Sequence, residues 1–260
     1  MLGDVYKRQS VDTVYQRVLA ILNKEQRGYI TPQEFNLFAD HAQMDIFKQY
    51  FYDLNQSSRT PGNDTVYGNP TKIIEEKISM FEVVDVTAGA SDGVVTMSNI
   101  DPLFFKLTSV KVDYEETGIV AATEISIKET GSYRSTNSLM HSIEHYYPRY
   151  IYNSFVDPAD SSLNTQIKIS PAPINNEEVL ISYVKKPKTP NWTYLMSGEN
   201  ALYNMSAGDH QNFQLHFSEE NLLVIKILQL AGINIKDGSL VQLASQEEIK
   251  KIQQEKRLRF

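Results

Sequence analysis

The chain has 260 residues and no cysteine. That removes disulfides, thiolate nucleophiles and cysteine metal sites together. Tryptophan occurs once. No apolar run approaches the ~18 residues of a membrane-spanning helix, so no membrane partner is expected. Positive charge is in short supply, with 25 Lys and Arg against 32 Asp and Glu and a net charge of −7. Such a balance is ill suited to gripping phosphates, although it suits a surface past which DNA slides. The sequence also lacks a glycine-rich phosphate loop, a G-x-S-x-G elbow and a dinucleotide fingerprint. What remains is an ordinary globular composition, 41% hydrophobic, with enough material for one large domain or two small ones.

The first nine residues stand apart. "DVYKRQ" reads back into DNA as a transposon end used to build sequencing libraries, so Met1–Gln9 is expected to be an assembly artefact. From Ser10 the pattern is helical. Val11, Val14, Tyr15, Val18, Leu19 and Leu22 recur at i, i+3, i+4 spacing, with Ser10 as N-cap. Phe35, Phe38, Ala39, Ala42, Ile46, Tyr50 and Leu54 form a second stripe, and the two helices are expected to pack as an antiparallel pair. The stretch 55–70 is a loop by composition, and Pro70 opens a short helix.

Between about Phe81 and Tyr183 the period becomes two. Val110, Val112 and Tyr114 form one inward row, Ile125 and Ile127 a second, Ile167 and Ile169 a third, and Val179, Ile181 and Tyr183 a fourth. Short alternating strands imply an antiparallel sheet or small barrel. Helix returns after "HFSEEN", with Ser218 as cap and Gly232 as stop, and a last helix covers roughly 240–256. The expected fold is α+β. N- and C-terminal helices form a bundle around a central antiparallel β-domain, with segments 10–80, 81–190 and 191–260, the last packing on the first.

Two motifs suggest metals. In "NKEQRGYITPQE", Asn23, Glu25, Arg27, Gly28, Ile30 and Glu34 occupy positions 1, 3, 5, 6, 8 and 12 of a calcium loop. Arg27 puts a cation where an oxygen ligand belongs. A capped turn accounts for more residues. Gly28 ends one helix, Thr31 caps the next, Pro32 takes its first position, and Glu34 closes the box. "HSIEH" places His141, Glu144 and His145 on the H-x-x-E-H pattern of a zinc peptidase. Tyr146, Tyr147 and Pro148 follow at once, where that chemistry needs a long helix and a third ligand. No catalytic residue, metal or cofactor is expected. The aromatic stretches "FKQYFYDL" and "YYPRYIY" are read as core rather than as binding surfaces.

One longer stretch has a specific rhythm. "HYYPRYIYNSF" leads into a strand. "TQIKISPAPINNEEVLISYVKKPKTPNW" follows through a P-x-P turn, and then the long helix in "FQLHFSEENLLVIKILQLAGINI". With the opening 14–56, this resembles virion structural proteins of tailed phages. It is similar above all to the head-to-tail connector or ring (tail adaptor) proteins of short-tailed marine and crAss-like phages. The resemblance covers nearly all of residues 10–256 and rests on sequence texture, not on a catalytic signature.

It implies a non-enzymatic subunit of a homo-oligomeric ring between portal and tail proteins. The ring is assembled in the host cytoplasm and carried in the virion, and DNA passes through its channel without specific binding. Tyr183, Lys185, Lys186, Pro187, Trp192 and Tyr194 are the candidate subunit-interface residues. The alternatives are a tail-associated adhesion or carbohydrate-binding module and, on His141, Glu144 and His145, a zinc peptidase.

Overall fold

The computed structural model describes residues 9–24, 30–59, 70–90, 93–115, 118–129, 147–156, 163–173, 178–198 and 200–234, together with 246, 249, 250 and 253. The protein is α+β. Its contacts divide it into two units, Met1–Met80 with Pro187–Phe260, and Phe81–Lys186. The β-unit therefore closes at Lys186, a few residues before the boundary expected at 190.

The first unit is built on helices. α1 spans Val11–Lys24, α2 Pro32–Arg59, α3 Pro70–Ser79 and α4 Glu220–Asn234. The stripes read from the sequence face inward. Val11, Val14, Tyr15, Val18 and Leu22 are buried on α1, and Phe35, Ala39, Ala42, Ile46 and Tyr50 on α2. α4 contributes Leu223, Val224, Ile227, Leu228 and Ala231, and packs against both α1 and α2. Of the predicted helix at 240–256, Gln246, Ile249, Lys250 and Gln253 are described, all helical.

Helix ends follow side-chain chemistry. α2 starts with the expected capping box. The Thr31 N–H donates to Glu34 Oε2 at 3.0 Å, and the Glu34 N–H donates to Thr31 Oγ1 at 3.3 Å. Glu34 is thus engaged as a cap. Thr31→Ala should cost about 1 kcal/mol, read as a shift in urea midpoint; no shift would show that the box is idle. Gly28 lies outside the described residues.

The start and end of α4 differ from expectation. His216, not Ser218, is the N-cap of the short 3₁₀ turn Phe217–Glu219 that leads into α4, and its ring accepts from the Ser218 N–H. Gly232 is buried inside the helix, which runs to Asn234. Apolar packing of Ala231 and its neighbours holds the helix past a residue that would otherwise stop it. Gln9 also departs from expectation. It is buried, and its side chain donates to the His216 carbonyl at 2.8 Å.

The second unit holds β1 (Glu82–Ala88), β2 (Val94–Thr96), β3 (Phe104–Tyr114), β4 (Gly118–Ala121), β5 (Thr123–Glu124), β6 (Arg149–Val156), β7 (Leu163–Ser170) and β8 (Glu178–Lys185). They form two 4-stranded sheets, ordered β1-β8-β3-β4 and β2-β7-β6-β5. All pairings are antiparallel except β5 with β6. The inward rows from both sheets meet in one core that includes Val110, Val112, Tyr114, Ile167, Ile169, Val179 and Ile181. Alternation in the sequence is the cause, since a period of two puts every second side chain on one face.

Two turns show why particular residues are needed. The β3–β4 turn closes at Gly118, whose φ of +70° favours glycine. A Cβ on Gly93 would lie 2.8 Å from the Ile169 carbonyl oxygen, which requires a bare backbone there.

The row expected through Ile125 and Ile127 is broken. β5 ends at Glu124, Ile125 is buried and Ile127 is exposed. The sequence "SIKE" (126–129) turns the chain. The Ser126 N–H donates to Glu129 Oε2 at 3.1 Å, and the Glu129 N–H donates to Ser126 Oγ at 3.3 Å. This S-x-x-E pair has the same chemistry as the box at Thr31 and Glu34, and it overrides the alternation.

Two tyrosines of the core, Tyr150 and Tyr183, have raised pKa values, Tyr183 the further of the two. Tyr183 is buried, and its hydroxyl donates to Asp101 Oδ2 at 3.0 Å. Burial first, then the hydrogen bond and charge of Asp101, push its pKa up from 10.0 to about 12. The folded state holds the protonated phenol more tightly than the unfolded chain. The stability from Tyr183 is therefore fully present below pH 10.0 and is lost as pH rises towards 12. Ultraviolet difference titration of wild type against Tyr183→Phe should isolate one phenol ionising near pH 12. A difference centred near the ordinary value would contradict this.

Candidate functional site

Segments 188–193 and 209–216 run as two legs between β8 and α4, and a hairpin joins them. Its strands are β9 (Tyr194–Ser197) and β10 (Asn200–Tyr203). They pair antiparallel from Tyr194↔Tyr203 to Asn200↔Ser197. The turn opens at Gly198, with φ of +65°. A two-residue loop led by glycine is a strong hairpin signal, and "YLMSGENALY" carries it. The helical segment expected over 191–260 is therefore corrected here, since 194–203 form a hairpin.

Amide side chains on α2 hold the legs. Asn36 acts as a strand would. Its Oδ1 accepts the Trp192 N–H at 2.8 Å, while its Nδ2 donates to the Trp192 carbonyl at 3.2 Å and to Asn191 Oδ1 at 2.9 Å. Gln43, two turns further along α2, is fully buried. It donates to the Lys188 carbonyl at 2.8 Å and accepts the Gln214 N–H at 2.9 Å. The legs also meet each other, through the Asn191–Gln211 bridge and from the Lys188 N–H to Gln214 Oε1 at 2.9 Å. These contacts satisfy backbone groups that no sheet serves.

Trp192 is the anchor. It is 2% exposed, and its indole N–H donates to Asp12 Oδ1 at 2.9 Å. Its ring lies 4.5 Å from Tyr15 and is stacked by Tyr194 and Tyr203, each at 5.7 Å. Trp192 thus adds to the direct Tyr15–Phe35 contact between α1 and α2, its indole touching Tyr15 on one helix and its backbone bonded to Asn36 on the other. The Tyr203 hydroxyl lies 2.8 Å from His210 Nε2. Burial, then the Asp12 carboxylate, raise the Tyr203 pKa.

On this anchored base the hairpin displays apolar side chains. Leu195 and Leu202 are directly opposed across the strands and are 62% and 55% exposed. Alternation directs them to the face opposite the tyrosines that stack on Trp192. Met196, on the tyrosine face, is 64% exposed, and Met205, just beyond β10, 68%.

The six residues named as a subunit interface therefore separate. Tyr183, Pro187 and Trp192 are buried within the single chain, because large aromatic and apolar groups gain more inside a core than on a rim. They are not surface for a second copy. Lys185 and Tyr194 are half-buried and Lys186 is exposed. The exposed apolar residues that the sequence expectation omits lie just beyond, in 195–205. A loop-flanked glycine between two short alternating runs was the signal for them.

Among the described residues, the nearest approach to a catalytic arrangement is at the start of α4. His216 Nδ1 lies 2.8 Å from Ser218 Oγ, and that hydroxyl lies 3.3 Å from Glu219 Oε1. Each group has a structural task. The imidazole caps the turn, and Glu219 pairs with Lys77 at 2.5 Å. Burial, then the Lys77 charge, lower the His216 pKa, which keeps the ring neutral. His141, Glu144 and His145 lie outside the described residues. Among the described residues, no group of three His, Cys, Asp or Glu side chains could hold a metal ion, and no helix is long and apolar enough to cross a membrane. No protein-family model matches the chain, and no curated protein matches it.

Proposed function

We propose that this chain is a non-enzymatic structural subunit of a tailed-phage virion, a head-to-tail connector ring protein joining portal and tail. The observation that carries the reading is the hairpin packed on Trp192, with Leu195 and Leu202 exposed on one face and Met196 exposed on the other. Exposed apolar side chains opposed across a short hairpin suit a protein–protein contact. Pinning by Asn36, Gln43 and Trp192 pre-organises that contact, which lowers the entropy lost on association. Rings close through head-to-tail contacts between identical copies. The net charge of −7 suits a channel that lets DNA pass. The sequence resemblance to connector proteins supplies the position between portal and tail.

The test uses residues 10–260, purified alone and mixed with the portal protein from the same genome. Mass photometry and negative-stain microscopy should show closed rings, alone or seated on portal. Protein that stays monomeric at high concentration and does not bind portal would overturn the proposal.

A further inference from the structure

The sheet edges of this protein are not equally protected. Natural sheets guard their edges with charge, bulges or very short strands, because an open edge recruits another strand. In the sheet β1-β8-β3-β4, the β1 edge is guarded. Its register slips between Val83 and Val86. Asp85 sits there at φ +51° and binds Lys111 Nζ at 2.8 and 2.9 Å. The Lys111 hydrogen bond, with the Lys111 charge and Ser182, lowers the Asp85 pKa, so the edge stays charged. In the other sheet the edges are β2, of 3 residues, and β5, of 2, too short to template pairing.

β4 is different. "GIVA" has no charge, no proline and no bulge against β3. Among the described residues it is an edge strand, with Ile119 60% exposed. The β9–β10 hairpin is its counterpart. Among the described residues neither β9 nor β10 pairs with any further strand. Tyr194–Ser197 and Asn200–Tyr203 contain no charged residue. Each strand has 4 residues, as β4 has. One face of the hairpin packs on Trp192, and its outer strand edges are left to pair.

We infer that the occupant of the hairpin is a second copy of this chain. The hairpin of one subunit adds to the β4 edge of the next, extending its four-stranded sheet. Donor and acceptor match in length, lack of charge and apolar side chains, in a chain that otherwise carries 57 charged residues as 25 basic and 32 acidic. Main-chain hydrogen bonds supply the affinity, and Leu195 or Leu202 beside Ile119 the apolar contact. Because donor and acceptor are different surfaces, the contact is head-to-tail, and each copy donates once and accepts once. One such short strand pair is small against a stable interface of about 1,200–2,000 Å², so closure of the ring is what stabilises the set. This inference rests on the proposal that copies of the chain assemble.

The absence of cysteine makes the test clean. Ile119→Cys protein is mixed in turn with Leu195→Cys, Met196→Cys, Ala201→Cys and Leu202→Cys protein, assembled alone or on portal, and oxidised. Directly paired strand residues lie at disulfide distance. At least one 1:1 mixture should link about half of its copies into disulfide dimers, the share that random head-to-tail mixing allows, while every variant oxidised alone stays unlinked. Leu202→Asp should abolish assembly and leave the circular dichroism spectrum and melting temperature of the monomer unchanged, since that side chain is exposed.

Wild-type protein that never assembles would overturn the connector proposal and this contact with it. Wild-type protein that assembles while no mixture links and Leu202→Asp assembles equally would overturn this contact alone. So would a hairpin variant that links to itself, which would mean a symmetric contact.

Discussion

Trp192→Ala is expected to destabilise the helical unit by about 3–5 kcal/mol, the range for deleting a large buried aromatic. The substitution removes the ring that Tyr15, Tyr194 and Tyr203 contact and leaves Asp12 without its indole donor. Urea unfolding followed by circular dichroism would measure it. Trp192→Phe separates the terms, since it keeps a ring in the site and loses the Asp12 hydrogen bond, worth about 1.5–3 kcal/mol for a charged acceptor. Trp192 is the sole tryptophan, so wild-type fluorescence reports directly on release of the arm. A loss below about 1 kcal/mol for the alanine variant, the scale of an ordinary surface change, would mean that the indole does not anchor the hairpin.

Lys77→Met is expected to cost about 3–5 kcal/mol, because it strands Glu219 as an unpaired buried charge. The two side chains are 15% and 3% exposed and meet at 2.5 Å. The ammonium also lies 5.6 Å from the centre of the Tyr50 ring, within cation–π range. The double variant Lys77→Met with Glu219→Leu should recover most of the loss, since a well-packed apolar pair often equals a buried ion pair. A double-mutant cycle in urea measures both, and a single-variant loss within the ~1 kcal/mol of a surface pair would contradict the burial. His216 gives a second readout. Lys77 lowers its pKa and Glu219 raises it, so Lys77→Met should move the His216 titration upward by NMR. With wild-type His216 below 6.5, its neutral form stabilises the fold above that pH, and the stabilisation is lost as pH falls through the folded value.

Periodicity was legible wherever burial alone decides placement. The stripe from Val11 to Leu22, the row through Val110, Val112 and Tyr114, and the Thr31–Glu34 box all follow from residue spacing and local hydrogen bonding. Sequence reading failed where a short local motif competed with a pattern. Ser126 and Glu129 turned a strand into a loop, and the packing of Ala231 carried α4 through Gly232. The candidate site was half legible. Its neighbourhood, around Trp192 and Tyr194, was marked by aromatic density, but which aromatics are spent inside was not. Tyr183 and Trp192 look alike in sequence to exposed contact residues. Only their neighbours, Asp101 and Phe104 for one, Asp12, Tyr15 and Asn36 for the other, reveal them as core.

By itself the amino-acid order determined the α+β class, the helix faces, three of the four expected inward rows and the exclusion of thiol chemistry. Each is a local property of spacing and composition. Tertiary structure alone decided that Asn36 and Gln43 would hold chain segments more than 140 positions away, that Trp192 would root an arm, and that Leu195 and Leu202 would be left facing water. Those outcomes depend on which distant groups compete for the same buried space and the same hydrogen bonds, and no local spacing encodes that competition.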